Sequence, residues 1–241
     1  MTGLLRAELI KLRTTRTALG FALISLLLVV TIVTLVSLLD DPSTTEDKRN
    51  AIESSGVIAT ILIIFGVVGA TGEHRHGTIT STFLIVPDRV RATLSKLLAY
   101  AAAGVLFAVL IQIVAAAIGL TLVSGEPGAA PGVGDLLELA GLGALACALS
   151  AALGVAVGAL IRNQVAAVVG ALAWLFILES TLIGLVPSVG RFTVSGATSS
   201  LLPSMQIDDG LSQVAGGLVL LAWVLVLSAA AVLADRARDV T

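Results

Sequence analysis

The sequence predicts an all-α, polytopic membrane protein with six transmembrane helices, preceded by an amphipathic interfacial helix. The first two observations behind this prediction are that 57% of the 241 residues are hydrophobic and that only 12% are charged. Soluble domains are about 45–50% apolar and about 25% charged, and one core of this size cannot bury so much apolar surface. Most of the chain is therefore expected to lie in lipid.

The third observation is that the apolar residues form continuous runs of 20 or more residues. Runs of that length cross ~30 Å of hydrocarbon as helices, whereas barrel strands would give short alternating segments. We treat residues 1–241 as one membrane domain with an outer connection at 187–213. The predicted spans are 17–39, 51–72, 94–124, 135–161, 165–186 and 214–234.

Basic residues are distributed unequally between the two sides of the predicted membrane. With the N-terminus in the cytoplasm, eleven of the 14 Lys and Arg residues fall on the cytoplasmic side. Cytoplasmic loops carry such an excess of positive charge. The sequence therefore predicts that both termini and the 73–93 loop are cytoplasmic.

Residues 1–16 form the predicted interfacial helix. Leu5, Leu9 and Leu12 recur at helical spacing, while the basic residues lie elsewhere on the helix. Such a helix lies in the membrane interface with its cations toward the lipid headgroups. It is either a topology anchor or a mechanical link to the first span. Its basic residues are Arg6, Lys11, Arg13 and Arg16.

The stretch GEHRHGTITSTFLIVPDR at 72–89 holds both histidines of the chain. Its glycines have the spacing at which a Walker A loop begins, but Thr78 stands where the phosphate-binding Lys belongs. His74 and His76 have no strong third ligand nearby apart from Glu73, so we predict no metal site. No nucleophile–histidine pair or paired intramembrane carboxylates suggest catalysis.

The order of residues in this loop resembles the permeases of type-2 ABC exporters, which have the type V fold. The N-terminal AELIKLRTTR also resembles the connecting helix of that family. The loop pattern is Glu73-x-x-x-Gly77-Thr78, then Leu84, Pro87 and Arg89, with Lys96 at the start of the third span.

The resemblance implies a stand-alone membrane subunit in the bacterial cell membrane. It would pair with a second permease subunit and dock a separate ATP-binding cassette ATPase, which would bind ATP and Mg²⁺. No cofactor in this chain and no nucleic-acid partner are expected. The 73–93 loop would be the segment through which the ATPase moves the helices, with Gly77 allowing a tight turn. The residues carried over to this role are Glu73, Arg75, Gly77, Thr78, Pro87 and Arg89.

Glu179 is the one carboxylate clearly inside a predicted span. A charge in the membrane costs at least about 2.5 kcal/mol, which makes Glu179 a functional candidate. In the resembled family, the segment after the fifth span re-enters the membrane, so 187–213 is either an outer loop or a set of re-entrant helices. Glu179 then either caps such a helix or contacts a substrate or proton.

Three functions follow as alternatives. The resemblance favours a permease that exports a hydrophobic or amphipathic compound, such as a drug, antibiotic or lipid, with ATP as the energy source. The second alternative is an ion-coupled secondary transporter that uses Glu179. The third is a non-transporting immunity or scaffold protein. The scarcity of charge in the spans favours a hydrophobic cargo.

Overall fold

The structure, a computed structural model, describes residues 2–39, 44–53, 55–75, 77, 88–122, 124, 130–202 and 210–237. Within these ranges the regular elements are helices and no strand is found. A π-helical turn, Trp174–Glu179, joins α7 to α8. The helices are α1 (Thr2–Thr14), α2 (Arg16–Leu39), α3 (Thr45–Ile52), α4 (Ser55–Arg75), α5 (Arg89–Leu122), α6 (Val133–Ile161), α7 (Gln164–Ala173), α8 (Ser180–Leu185), α9 (Pro187–Gly190), α10 (Val194–Leu201) and α11 (Gln213–Ala237).

Six helical stretches are long and apolar enough to cross a membrane. They contain α2, α4, α5, α6, the continuous stretch from α7 to α8, and α11. The predicted all-α fold with six membrane-spanning helices is therefore confirmed. Helix α1 precedes them, as expected, and its location in the membrane interface stays a prediction.

The observed helices extend beyond the predicted spans on both sides of the 73–93 loop. Helix α4 continues to Arg75, and α5 begins at Arg89, five positions before the predicted start. The described ends of this loop are therefore continuous with membrane helices. Residues 78–87, and with them Thr78 and Pro87, lie outside the described residues.

The connection between the first two spans contains a short helix, α3, which the sequence pattern did not indicate. Asp47 donates its backbone N–H to the Thr44 hydroxyl at 3.0 Å, and Thr44 donates its backbone N–H to the Asp47 carboxylate at 2.9 Å. This reciprocal capping pairs two donors that a helix start otherwise leaves unsatisfied. A polar segment that resembles a loop by composition is thereby able to form a helix.

Glycines allow α4 and α6 to pack backbone against backbone. A Cβ at Gly154 would collide with the carbonyl oxygen of Ile63, and one at Gly158 would lie 2.7 Å from the carbonyl oxygen of Val67. Small residues permit this approach between membrane helices. The Gly154-x-x-x-Gly158 pattern therefore serves helix packing within the chain.

Helix α6 lies at the centre of the bundle, packed on α4, α5 and α11. In the most apolar segment of α6, 56% of the residues are buried inside the structure, and in the span that ends in α4 the buried share is 62%. In the other four spans the buried share is only 22–28%. Those four spans present apolar side chains outward, for example Leu27, Phe176 and Leu225. Such an outer face is stable in lipid and would be costly in water.

The reversal between α6 and α7 takes only two residues, Arg162 and Asn163. Arg162 has φ of 61°, in the left-handed region that residues other than glycine seldom occupy. Asn163 caps α7 by accepting a hydrogen bond from the backbone N–H of Ala166 at 3.0 Å. This tight turn places Gln164 beside the end of α4, where Arg75 donates a 3.2 Å hydrogen bond to it.

Candidate functional site where α1, α4 and α5 meet

Four charged side chains from three helices meet at one end of the bundle. Lys96 Nζ lies 2.5 Å from Glu73 Oε1, and Lys11 Nζ lies 3.0 Å from the same oxygen. Lys11 Nζ also lies 2.7 Å from Glu8 Oε1, and Lys96 Nζ lies 3.5 Å from Glu8 Oε2. Each carboxylate therefore contacts both ammonium groups. These residues, Glu8, Lys11, Glu73 and Lys96, are named the charge cluster.

The charge cluster is neutral overall and largely shielded from solvent. The side chains of Glu73 and Lys96 are each 12% exposed, and Glu8 is buried. Partial burial alone would lower the pKa of Lys11, but its hydrogen bonds with Glu8 and Glu73 outweigh burial and raise the pKa above its ordinary value. Lys11 is therefore a stable cation at neutral pH. Removing one member would leave a poorly solvated charge uncompensated.

Local helix geometry explains how the cluster assembles. Glu8 and Lys11 are three positions apart on α1, so their side chains share a face. Glu73 lies in the last turn of α4, where the helix dipole disfavours a negative charge. The ammonium groups from α1 and α5 compensate for that unfavourable position. Helix α1 packs on α5. Through the Lys11–Glu73 ion pair, α1 is also connected to α4.

A cavity of about 610 Å³ opens beside the charge cluster. Its wall combines the cluster with apolar side chains that include Leu12, Phe65 and Tyr100. The rings of Phe65 and Tyr100 pack with their centroids 4.9 Å apart. Gly69 provides the space for the Tyr100 hydroxyl, because a Cβ at that position would collide with it. The result is an amphipathic space at the end of the bundle.

The residues predicted from the 73–93 loop occupy different positions around this site. Glu73 lies inside the charge cluster, while Arg75 lies at its edge and contacts Gln164. Gly77 has φ of 68° and donates its N–H to the carbonyl of His74 at 3.3 Å, which is the conformation of a tight turn after a helix. Arg89 begins α5.

Of the four cations predicted to mark the interfacial helix, the structure brings only Lys11 into the charge cluster. Arg6 and Arg13 are exposed along α1, and Arg16 is exposed at the first position of α2. An exposed position suits contact with lipid headgroups, so that role for the three arginines stays a prediction.

Glu8 and Lys96 belong to the cluster but were not among the predicted coupling residues. Glu8 shares a helix face with Leu5, three positions before it, and with Leu12, four positions after it. A carboxylate within the apolar stripe of an amphipathic helix signals a buried partner. That pattern identifies Glu8, whereas the position of Lys96 opposite Glu73 depends on how α4 and α5 pack.

The histidine of this region that the structure describes, His74, is in contact with its own helix. Its Nδ1 atom lies 3.3 Å from the carbonyl oxygen of Ala70, one turn earlier in α4. His76 lies outside the described residues. Across the described part of the chain, no group of three or more His, Cys, Asp and Glu side chains is arranged to hold a metal ion.

Glu179, the candidate within the membrane, lies at the end of the π-helical turn and is fully buried. Its carboxylate accepts hydrogen bonds from the backbone N–H groups of Val194 (3.0 Å) and Ser195 (2.7 Å), and from the indole N–H of Trp174 (2.6 Å). The two backbone donors are the first residues of α10. Glu179 therefore caps α10 from 15 residues away, at the positive end of its dipole.

The segment 187–213 begins with two short helices rather than an extended loop. Helix α9 starts at Pro187, a favourable first position, and α10 starts after Thr193, whose hydroxyl accepts a hydrogen bond from Gly196 N at 3.2 Å. Gly196 also lets α10 pack against Gly190, where a Cβ would collide with the backbone. Residues 203–209 lie outside the described residues.

Comparison with known families finds a match over residues 4–180 with the family described as ABC-2 family transporter protein. The match covers well over half of the chain, from α1 through Glu179, and includes the charge cluster. A search of curated proteins found no match. Because the family match spans the helices that build the site, the chain belongs to the ABC-2 family of transporter proteins.

Proposed function

We propose that this protein is the permease subunit of an ATP-binding-cassette exporter in the bacterial cell membrane. It would pair with a second permease subunit and be driven by a separate ATPase docked at the 73–93 loop. The observation that carries this proposal is the charge cluster, in which Glu73 is bound to cations of both α1 and α5. The family match supports a role in transport.

The charge cluster gives the proposed docking loop a mechanical connection to the bundle. The loop leaves α4 next to Glu73 and returns at Arg89, the start of α5. The Glu73–Lys96 contact joins these two ends, and Lys11 ties α1 to them. A displacement of the loop would therefore move three helices together. Coupling of this kind needs contacts that differ between two states of the protein, and ATPase closure would supply that difference.

The cargo proposed is hydrophobic or amphipathic and moves outward. Support comes from the low charge of the spans and from the amphipathic cavity beside the cluster. Ion-coupled transport through Glu179 is less favoured, because three hydrogen bonds engage both oxygens of that carboxylate. Its local role is the capping of α10.

The proposal is tested by isolating an ABC ATPase that co-purifies with the full chain from its native membrane and reconstituting both in vesicles. ATP hydrolysis and uptake of a hydrophobic dye are measured together. We expect uptake that requires ATP and survives collapse of the proton gradient. Uptake that stops with the gradient and proceeds without ATP would establish the ion-coupled alternative. If no ABC ATPase co-purifies with the chain, the proposal of ATP-driven transport is contradicted.

Variants of the cluster test the coupling step. Glu73→Gln is expected to reduce the transport achieved per ATP hydrolysed while the ATPase still binds. Arg6→Gln, an exposed change on α1 outside the cluster, serves as the control and should leave that ratio unchanged. Equal ratios in wild type and Glu73→Gln would exclude the cluster from coupling.

A further inference from the structure

A second cavity, of about 360 Å³, lies between α4, α6, α7 and α11. Its lining side chains are apolar apart from two indole N–H groups, and a glycine widens it on α7. The volume falls within the range of small-molecule sites, about 300–1,000 Å³. Residues at its wall include Ile63, Leu153, Val157, Gly170, Trp174 and Trp223.

The two tryptophans of the chain, Trp174 and Trp223, both line this cavity. Their rings meet edge to face, with centroids 6.5 Å apart and planes at 67°. The Trp174 N–H donates to Glu179, and the Trp223 N–H donates to the carbonyl oxygen of Phe192 at 2.9 Å. Both rings are therefore held in place, and their polar atoms are already engaged.

A ligand in this cavity must bind there more favourably than it dissolves in the surrounding lipid. Lipid tails are as apolar as Leu side chains, so moving an apolar group from lipid into the cavity yields little hydrophobic free energy. Aromatic rings gain more, because offset and edge-to-face contacts contribute about 0.5–1.5 kcal/mol beyond area burial. A charged ligand would lose its solvation without finding a partner here.

We propose that this cavity binds the planar, uncharged aromatic part of a ligand against Trp174 and Trp223. If that ligand is the transported compound, this inference rests on the proposed transport function. The cargo of the permease is then an uncharged aromatic molecule. The wall also includes Val194, whose N–H is held by the same carboxylate that holds Trp174. Occupancy of the cavity therefore acts directly on the start of α10.

Tryptophan fluorescence tests this proposal, because all indole emission of the chain arises at the cavity wall. The full chain in lipid nanodiscs is titrated with N-phenyl-1-naphthylamine, an uncharged aromatic probe that accepts energy from tryptophan. Partition of the probe into lipid gives a linear response. Binding in the cavity adds a saturable component, which we expect to observe.

Two glycine variants separate binding from partition. A Cβ at Gly170 meets no atom within 4 Å, so Gly170→Leu can fill the cavity without displacing the backbone. Gly184→Leu is the matched control, since Gly184 is equally unobstructed but lies in α8 away from the cavity. The saturable component should disappear in Gly170→Leu and persist in Gly184→Leu.

Two results would overturn the proposal. They are the absence of a saturable component in the wild type and its persistence in Gly170→Leu. Because the titration needs no ATPase, ATP-driven transport that survives a negative titration would refute the cavity and leave the permease function standing.

Discussion

Lys96 Nζ lies 2.5 Å from Glu73 Oε1, and each of the two side chains is 12% exposed. Breaking a buried ion pair by removing one partner costs roughly 3 kcal/mol, because the other charge is left uncompensated. Glu73→Gln should therefore lower the free energy of unfolding by about that amount, measured by denaturant titration in detergent. The double variant Glu73→Gln, Lys96→Met restores neutrality and should recover part of the loss.

The control for that prediction is the exposed pair Asp88–Arg91, whose atoms lie 2.9 Å apart with side chains 45% and 66% exposed. Surface pairs contribute about 0–1 kcal/mol, so Asp88→Asn should change the stability little. Equal losses for Glu73→Gln and Asp88→Asn would contradict a structural role for the charge cluster.

Glu179→Gln should destabilise the part of the fold around α10. The carboxylate has two acceptor oxygens for three donors, whereas Gln has one acceptor and an NH₂ group that faces a donor. A buried donor without a partner costs about 1–3 kcal/mol. The melting temperature should fall. The fluorescence emission maximum of Trp174 should also shift, because its indole N–H loses a charged partner. An unchanged transition together with lost proton-coupled transport would instead favour an ionic role for Glu179.

Gly154→Ala should disrupt the contact between α4 and α6. The added methyl would collide with the carbonyl oxygen of Ile63, and overpacking of this kind costs about 1–3 kcal/mol. Gly141→Ala in the same helix is the control, since a Cβ there meets no atom within 4 Å. It should be neutral or stabilising by up to about 1 kcal/mol because Ala favours helix. Thermal unfolding of the two variants distinguishes these outcomes.

Single-cysteine labelling tests the predicted orientation. Cys147 is the only cysteine of the chain and is buried, so Cys147→Ala gives a suitable background. In intact cells, a membrane-impermeant maleimide should label Glu46→Cys, which is exposed in the first turn of α3. It should label Arg13→Cys on α1 only after lysis, because the excess of basic residues predicts a cytoplasmic N-terminus. The reverse pattern would invert the topology.

The membrane fold was predictable because length and apolarity alone define a span. A short polar helix was less predictable. Helix α3 depends on the reciprocal hydrogen bonds of Thr44 and Asp47 rather than on apolar content. Composition also gave no reason to extend α5 back to Arg89.

The candidate site was only partly predictable for a different reason. Glu73 and Lys11 were each identified from their own segments, but their contact joins positions 62 residues apart and depends on helix packing. For Glu179, the sequence left capping and transport as alternatives. Capping became evident only when the structure placed the N–H groups of Val194 and Ser195 against its oxygens.

The two-residue turn at Arg162 and Asn163 has a consequence for communication across the membrane. The helical stretch that starts at Gln164, in contact with Arg75, continues without interruption through the π-helical turn to Glu179. Fifteen residues at about 1.5 Å each give a covalent path of roughly 22 Å, most of the hydrocarbon thickness. One end touches the proposed docking loop and the other holds α10. If the ATPase displaces that loop, the displacement would be carried toward α10 along a single helical backbone.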